Sequence, residues 1–211
     1  MKFSGQISKF FFFVNITNSL HHKFFLLRKI RPKLTMNQLK MIGEGIVMSR
    51  LQYCISVFGN SYTKDDNVCA NSQHMKELQK CQNDYMRLLT KTRIRDKVSI
   101  ETLLDKTNLL SVNQITAKHQ LMNAWSIIQN DIEPMASILK GRANENLRSA
   151  TNKYINPSSK CTMGFSNQVN RLWKNKDLDE KFRTTNVKSV AKTRVKKFVT
   201  SAVPRIPWRR L

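Results

Sequence analysis

Two polar tetrads, Thr35-Met36-Asn37-Gln38 and Ser111-Val112-Asn113-Gln114, constrain this chain more than any other feature. In each, a hydroxyl and a glutamine amide stand three residues apart. At that spacing the two side chains satisfy each other's free backbone donors at a helix start. Apolar residues then recur at helical spacing behind both tetrads. Behind the first lie Leu39, Ile42, Ile46, Tyr53 and Val57, with Val47, Leu51, Cys54 and Phe58 widening the stripe. The spacing predicts a helix buried on most sides and stopped at Gly59-Asn60. Behind the second, Val112, Ile115, His119 and Met122 share a stripe flanked by Leu121, Trp125 and Ile128, which predicts a helix to about Gln129.

The same periodicity predicts further helices. Met75, Leu78, Cys81, Tyr85 and Leu88 form an apolar face with Lys76, Lys80 and Arg87 turned outward. Ser99 to Lys106 reads as a short helix. Asn186 can cap a last one from Val187 to about Ala202, whose narrow stripe is Val187, Val190, Val195, Phe198 and Ala202. Near the start, Pro32 should end or kink any helix in the basic and apolar stretch from His21 to Lys33. Ser61 to Ser72 and Gly141 to Thr162 read as polar loops, and Glu133-Pro134 restarts the chain into a helical turn through Leu139. Only 6 glycines and 5 prolines among 211 residues disfavour an all-β fold with its many tight turns. The expected class is mainly α: an irregular helical bundle with long loops and a C-terminal basic amphipathic helix.

Charge narrows the function. With 37 lysines and arginines against 14 acidic residues, the net charge is +23 and the pI about 10.3. Such an excess repels itself in a compact state, and a polyanion is the simplest partner to offset it. An anionic membrane surface is the weaker alternative. The hydrophobic fraction of 40% argues against a disordered polybasic tail.

Catalytic patterns are missing. Nucleotidyl transfer needs carboxylates that hold two metal ions. The one adjacent acidic pair, Asp65-Asp66, follows Tyr62 at the wrong distance for a polymerase hairpin and lies in loop-like sequence, so a solvated loop is the plainer reading. No Gly-rich phosphate loop and no serine or cysteine nucleophile signature is present. His119 falls on an apolar helix face, where a core histidine is the plainer reading. Cys54, Cys69, Cys81 and Cys161 form no CxxC pair and stand at no zinc-ligand spacing from His21, His22, His74 and His119. Scattered reduced thiols fit a cytosolic or nuclear protein. The apolar run Phe10 to Val14 is five residues long, too short for a signal-peptide core. No enzyme activity, cofactor, metal or small-molecule substrate is therefore expected.

Binding patterns are present. From Val187 to Leu211 the chain carries Lys188, Lys192, Arg194, Lys196, Lys197, Arg205, Arg209 and Arg210 and no acidic residue. A helix there can dock its apolar stripe and keep a cationic face in water, where it would neutralise phosphates and release counterions. Prolines at 204 and 207 should make the chain leave that helix as an extended tail, and Trp208 could stack on a base or cover the core. A second basic segment holds Lys91, Arg93, Arg95 and Lys97, opposed only by Asp96.

These pieces, in this order, resemble the region behind the palm of non-LTR retrotransposon reverse transcriptases. Leu39 to Gly59 is similar to a helix of that family with a hydrophobic-Tyr-Cys pattern ending in an aromatic-Gly pair, here Phe58-Gly59. Leu78, Gln79, Gln82, Asn83 and Arg87 resemble its next helix, and Leu109 to Gln114 the start of the one after. Val169 to Trp173 and the closing basic helix with Val203-Pro204-Arg205 resemble its last blocks, although Lys174 stands where the family often has asparagine. In the family the fingers, the palm and its catalytic aspartates precede this region, and no active-site residue of the family maps here.

The resemblance implies a catalytically incomplete, thumb-like fragment of an RNA-directed DNA polymerase that grips RNA or single-stranded DNA without sequence preference. Its expected organisation is an unassigned segment over 1–25, disordered or read through from adjoining sequence, a helical thumb-like region over 26–140, and a post-polymerase region over 141–211. The candidate nucleic-acid contacts are Lys91, Arg93, Arg95, Lys188, Lys192, Arg194, Lys196, Lys197, Arg205 and Trp208. The alternative is a protein-interaction module, or an unstable pseudogene product, whose apolar helices pack on a missing palm domain or on each other. Nuclear or cytoplasmic residence is expected, with neither secretion nor a membrane partner.

Overall fold

The computed structural model describes residues 18–58, 73–132 and 175–205, together with residues 136, 169, 172 and 173. Among them the chain is mainly helical, with no strand. It divides into two compact units. The first comprises Met1–Gly59, Val68–Thr116 and Arg205–Leu211, the second Asn60–Asn67 and Ala117–Pro204. The division falls inside a helix, between Thr116 and Ala117.

The first unit opens with helix α1, residues 18–30, which begins ahead of the expected boundary at residue 26. Leu20, Phe24 and Leu27, spaced by four and three, are all buried, so the segment before residue 26 contributes to the core. Pro32 lies in a 3-10 turn, Arg31–Lys33, that ends α1 as expected. Helix α2, Met36–Gly43, starts at the expected box: Gln38 Oε1 accepts from the Thr35 backbone at 3.0 Å, and Thr35 Oγ1 from that of Gln38 at 3.4 Å.

Helix α2 runs through a π-helical segment, Glu44–Met48, into α3, Ser49–Phe58. That segment corrects the expected stripe. The buried residues are Leu39, Gly43, Val47, Met48, Leu51 and Ile55, whereas Ile42, Ile46 and Tyr53 are exposed by 36%, 39% and 60%. Residues four apart drift by roughly 40° per step around an ideal α-helix. One extra residue in a wider π turn takes back about 100° of that drift, so positions 39 and 55 still face one core. Carbonyls in the widened turn are taken up by side chains: Lys23 Nζ donates to Ile46 O at 3.2 Å, and Ser49 Oγ donates to Gly45 O. The side chains of Cys54, Val57 and Phe58, and the stop at Gly59-Asn60, lie outside the described residues.

Helix α4, Gln73–Thr90, buries the expected Met75, Leu78, Cys81, Tyr85 and Leu88. It also buries Gln79, Gln82, Asn83, Met86 and Leu89, so most of its circumference is covered. Its Tyr85 ring fills the space left by the missing side chain of Gly43 on α2, and the Tyr85 hydroxyl donates to Lys40 O at 3.1 Å. Helix α5, Ile100–Thr107, is capped by Ser99, whose Oγ accepts from the Thr102 backbone at 3.1 Å. Helix α6, Val112–Gln129, starts at the second box and ends at the expected residue. There Gln114 Oε1 accepts from the Ser111 backbone at 3.2 Å, and Ser111 Oγ accepts from that of Gln114 at 3.3 Å.

The second unit takes α6 from Ala117 onward, with α7, Glu180–Thr184, and α8, Lys188–Ala202. Its core joins Ala117, Leu121, Ala124 and Trp125 to Val169, Leu172, Trp173, Phe182 and the inner face of α8. The Trp125 indole N–H donates to Thr185 O at 2.8 Å, which satisfies the buried ring's polar atom. Trp173 and Phe182 meet edge to face at 5.5 Å, and Arg183 donates to the carbonyls of Trp173 and Asn175. On α8 the inner face is Ala191, Val195, Phe198, Val199 and Ala202. Val187 and Val190, expected in that stripe, are exposed by 55% and 40%. The N-cap position is Val187 rather than Asn186, with no side-chain cap. Of the turn expected after Pro134, only Ala136 is described, and it is helical and buried. The two polar loops, 61–72 and 141–162, lie outside the described residues.

Candidate nucleic-acid interface

The candidate cations fall in both units. In the first, Lys91, Arg93, Arg95 and Lys97 stand exposed on the connector between α4 and α5. Lys91 and Lys97 hold positive φ, 59° and 49°, which turns the chain sharply at both ends. The single acid here does not neutralise them: Asp96 Oδ2 accepts the Arg93 backbone N–H at 2.6 Å and holds the 3-10 turn Ile94–Asp96. Arg205 is engaged, since its guanidinium meets Asp105 Oδ1 at 2.8 Å.

In the second unit, α8 carries Lys188, Lys192, Lys196 and Lys197, all exposed. No carboxylate among the described residues pairs with them. Lys188, Lys192 and Lys196 follow one another at four-residue steps, about 6 Å apart along one flank. Arg194 differs from these lysines. Its guanidinium is paired with Asp179 Oδ2, and the other carboxylate oxygen accepts the Lys181 backbone N–H at 2.9 Å as the cap of α7. That backbone bond, followed by the Arg194 pair, holds the Asp179 carboxyl below its ordinary range. Trp208 lies outside the described residues.

The structure adds Lys118 on α6, which sequence reasoning missed. It is half-buried, and burial first, then the charges of Lys196 and Lys192, lower its ammonium below the usual lysine range. Burial and Lys118 likewise lower His119. The sequence carries no signal for it: Ser111 to Ala117 are largely polar residue types, and their burial is seen only in the fold. Lys118 comes under the charges of Lys196 and Lys192 because their helices share a core, which no local pattern reveals.

Beside them, α8 borders an open trough of about 470 Å³ lined among the described residues by Thr193, Lys196, Lys197, Thr200 and Ser201. The hydroxyls of Thr193 and Thr200 donate back to Ser189 O and Lys196 O at 3.1 and 2.8 Å, and Ser201 donates to Phe198 O at 3.1 Å. Their protons are therefore spent inside the helix, leaving methyl groups and lysine stems as an apolar floor between ammonium groups.

A scan of protein-family models, a search of curated proteins and a search of solved structures each found no match to this chain. No helix among the described residues is long and apolar enough to cross a membrane.

Proposed function

We propose that this chain binds RNA or single-stranded nucleic acid without sequence preference, as the thumb-like, post-palm part of a reverse transcriptase of the non-LTR retrotransposon kind. The observation that carries the binding is the flank of α8, where Lys188, Lys192, Lys196 and Lys197 stand in water with no ion-pair partner among the described residues. Surface cations with this spacing can each displace a counterion from a phosphate backbone, and lysine serves as a point charge that needs no fixed donor geometry. The family assignment rests on the order of the sequence motifs. The role in a polymerase would be grip rather than chemistry.

Fluorescence anisotropy with labelled single-stranded RNA tests the reading. Affinity should fall as a power of salt concentration that reflects several phosphates. Replacing Lys192, Lys196 and Lys197 together by Gln should flatten the slope by roughly 2–3. No binding at low salt rejects the function, and an unchanged slope moves the contact away from α8.

A second reading, docking on another protein domain, is favoured by the first unit. Leu26 and Tyr53 are each 60% exposed there and Met41 73%, with Phe25, Ile42 and Ile46 also accessible. Apolar surface of that kind is a usual mark of an interface. Strong binding of a hydrophobic dye and self-association in sedimentation velocity would support it; a monomer that binds no dye would reject it.

A further inference from the structure

We propose that Lys118, Lys192 and Lys196 form a cradle for one phosphodiester of a bound single strand, with the adjoining trough on α8 taking the neighbouring sugar or base. The proposal rests on the nucleic-acid reading above and gives it a particular site. Ala117, Ala191 and Val195 are each fully buried in one core. Each is followed directly by one of the three lysines, which places Lys118 on α6 and Lys192 and Lys196 on α8 beside the core that the two helices share. Among the described residues no carboxylate pairs with any of them. A half-buried ammonium facing two like charges is unfavourable by itself, and a single anion between them relieves both the repulsion and the desolvation.

Phosphate suits this arrangement better than a carboxylate. Its non-bridging oxygens can accept from separate ammonium groups, whereas planar carboxylate recognition favours an arginine fork. Arg194, the guanidinium on this helix, is already held by Asp179. Lys196 borders both the cradle and the trough. A strand whose phosphate sits in the cradle would lay its next apolar face against the methyl groups of Thr193 and Thr200.

Lys118→Met, which keeps the side-chain volume and removes the charge, separates the site from ordinary surface electrostatics. Binding of labelled oligouridylate should weaken several-fold at low salt, and the salt slope should fall by about 1. The melting temperature of the free protein should rise, because a repulsive, desolvated charge is gone. Inorganic pyrophosphate should raise the melting temperature of the wild type and not that of the variant, and Lys118→Arg should retain binding. If Lys118→Met does not fold, the exposed pair Lys192→Gln with Lys196→Gln must lose the pyrophosphate shift. An unchanged salt slope in Lys118→Met overturns the cradle while leaving the nucleic-acid reading in place. Absence of RNA binding by the wild type, with the pyrophosphate shift intact and dependent on Lys118, overturns the polynucleotide as the source of the phosphate.

Discussion

The side-chain oxygen of Gln79 accepts the backbone N–H of Val112 at 3.0 Å, across 33 positions of sequence. Val112 is the first residue of α6, and the first N–H groups of a helix have no partner inside it. Helix α4 supplies that partner and adds more. Gln79 Nε2 donates to Gln82 Oε1 at 2.9 Å and to Asn83 Oδ1 at 3.0 Å, while Gln82 Nε2 donates to Leu110 O at 2.7 Å. Residues that carry the resemblance on α4 and at the start of α6 are thus joined in one buried polar network. Gln79→Ala should leave the Val112 N–H unsatisfied and lower stability by about 1–3 kcal/mol. Urea denaturation should show a lower midpoint at unchanged slope. Gln82→Ala should act in the same direction, and the double variant should fall short of the sum because the two amides share one network.

Gly43 and Gly45 predict opposite signs for the same substitution. Alanine normally stabilises a helix interior over glycine by about 1 kcal/mol. A Cβ on Gly45 meets nothing within 4 Å, so Gly45→Ala should stabilise by up to that amount. A Cβ on Gly43 would stand 2.6 Å from Tyr85 Cζ and closer still to Cε2 and the hydroxyl oxygen, overlapping the hydroxyl-bearing edge of the ring. Gly43→Ala should therefore destabilise by about 1–3 kcal/mol through overpacking. Tyr85→Phe leaves those ring atoms in place and should not rescue it, whereas Tyr85→Leu should recover part of the loss. Thermal melts of Gly45→Ala, of Gly43→Ala and of Gly43→Ala combined with each Tyr85 substitution decide this.

Cys81 should resist thiol reagents until the first unit opens. Burial, then the charges of Asp84 and Glu77, push its thiol up to about 11. The folded state therefore holds the proton more tightly than the unfolded chain, whose cysteines titrate near 9.0. Stability from this group is fully present below that value and is lost as pH rises through about 11. At neutral pH, iodoacetamide should leave the Cys81 peptide unmodified in native protein and label it in urea, as read by peptide mass spectrometry. Rapid native labelling would contradict the buried, thiol-protonated state.

The parts of the fold legible in the sequence are those with a local cause. Pro32 ends α1, the tetrads at Thr35 and Ser111 open α2 and α6, and helical spacing marks the buried side of α4. The π segment was not legible, because Ile42, Ile46 and Tyr53 fit an ideal helical stripe as well as the buried set does. It accompanies packing that no local pattern carries: Gly43 meets Tyr85 while Leu51 and Ile55 are buried. Within the candidate interface, exposed cations on α8 could be read from the acid-free sequence after Val187. Their pairing could not. Asp179 lies 15 positions from Arg194 and Asp105 lies 100 from Arg205, and Lys118 comes under the charges of Lys196 and Lys192 only through the fold.

The Asp179–Arg194 pair makes one of these missed relationships testable as function. Asp179 ties up a guanidinium that the bare sequence offers to phosphate. Asp179→Asn keeps an oxygen to accept the Lys181 backbone N–H, so the cap of α7 should survive. It removes the carboxylate charge and releases Arg194. RNA affinity at low salt should then rise, and the salt slope should steepen by up to about 1. The pH dependence of stability should change in a defined direction. The carboxyl is held below its ordinary value of 3.8 by the Lys181 backbone bond and by Arg194, so its contribution is complete above that value and is lost as pH falls through the lowered one. Asp179→Asn should flatten that acid limb and leave the neutral range nearly unaltered, since an exposed pair contributes little there. An acid limb identical to the wild type's would show that the pair contributes nothing to folding, and an unchanged salt slope would show that Arg194 stays away from the strand even when free.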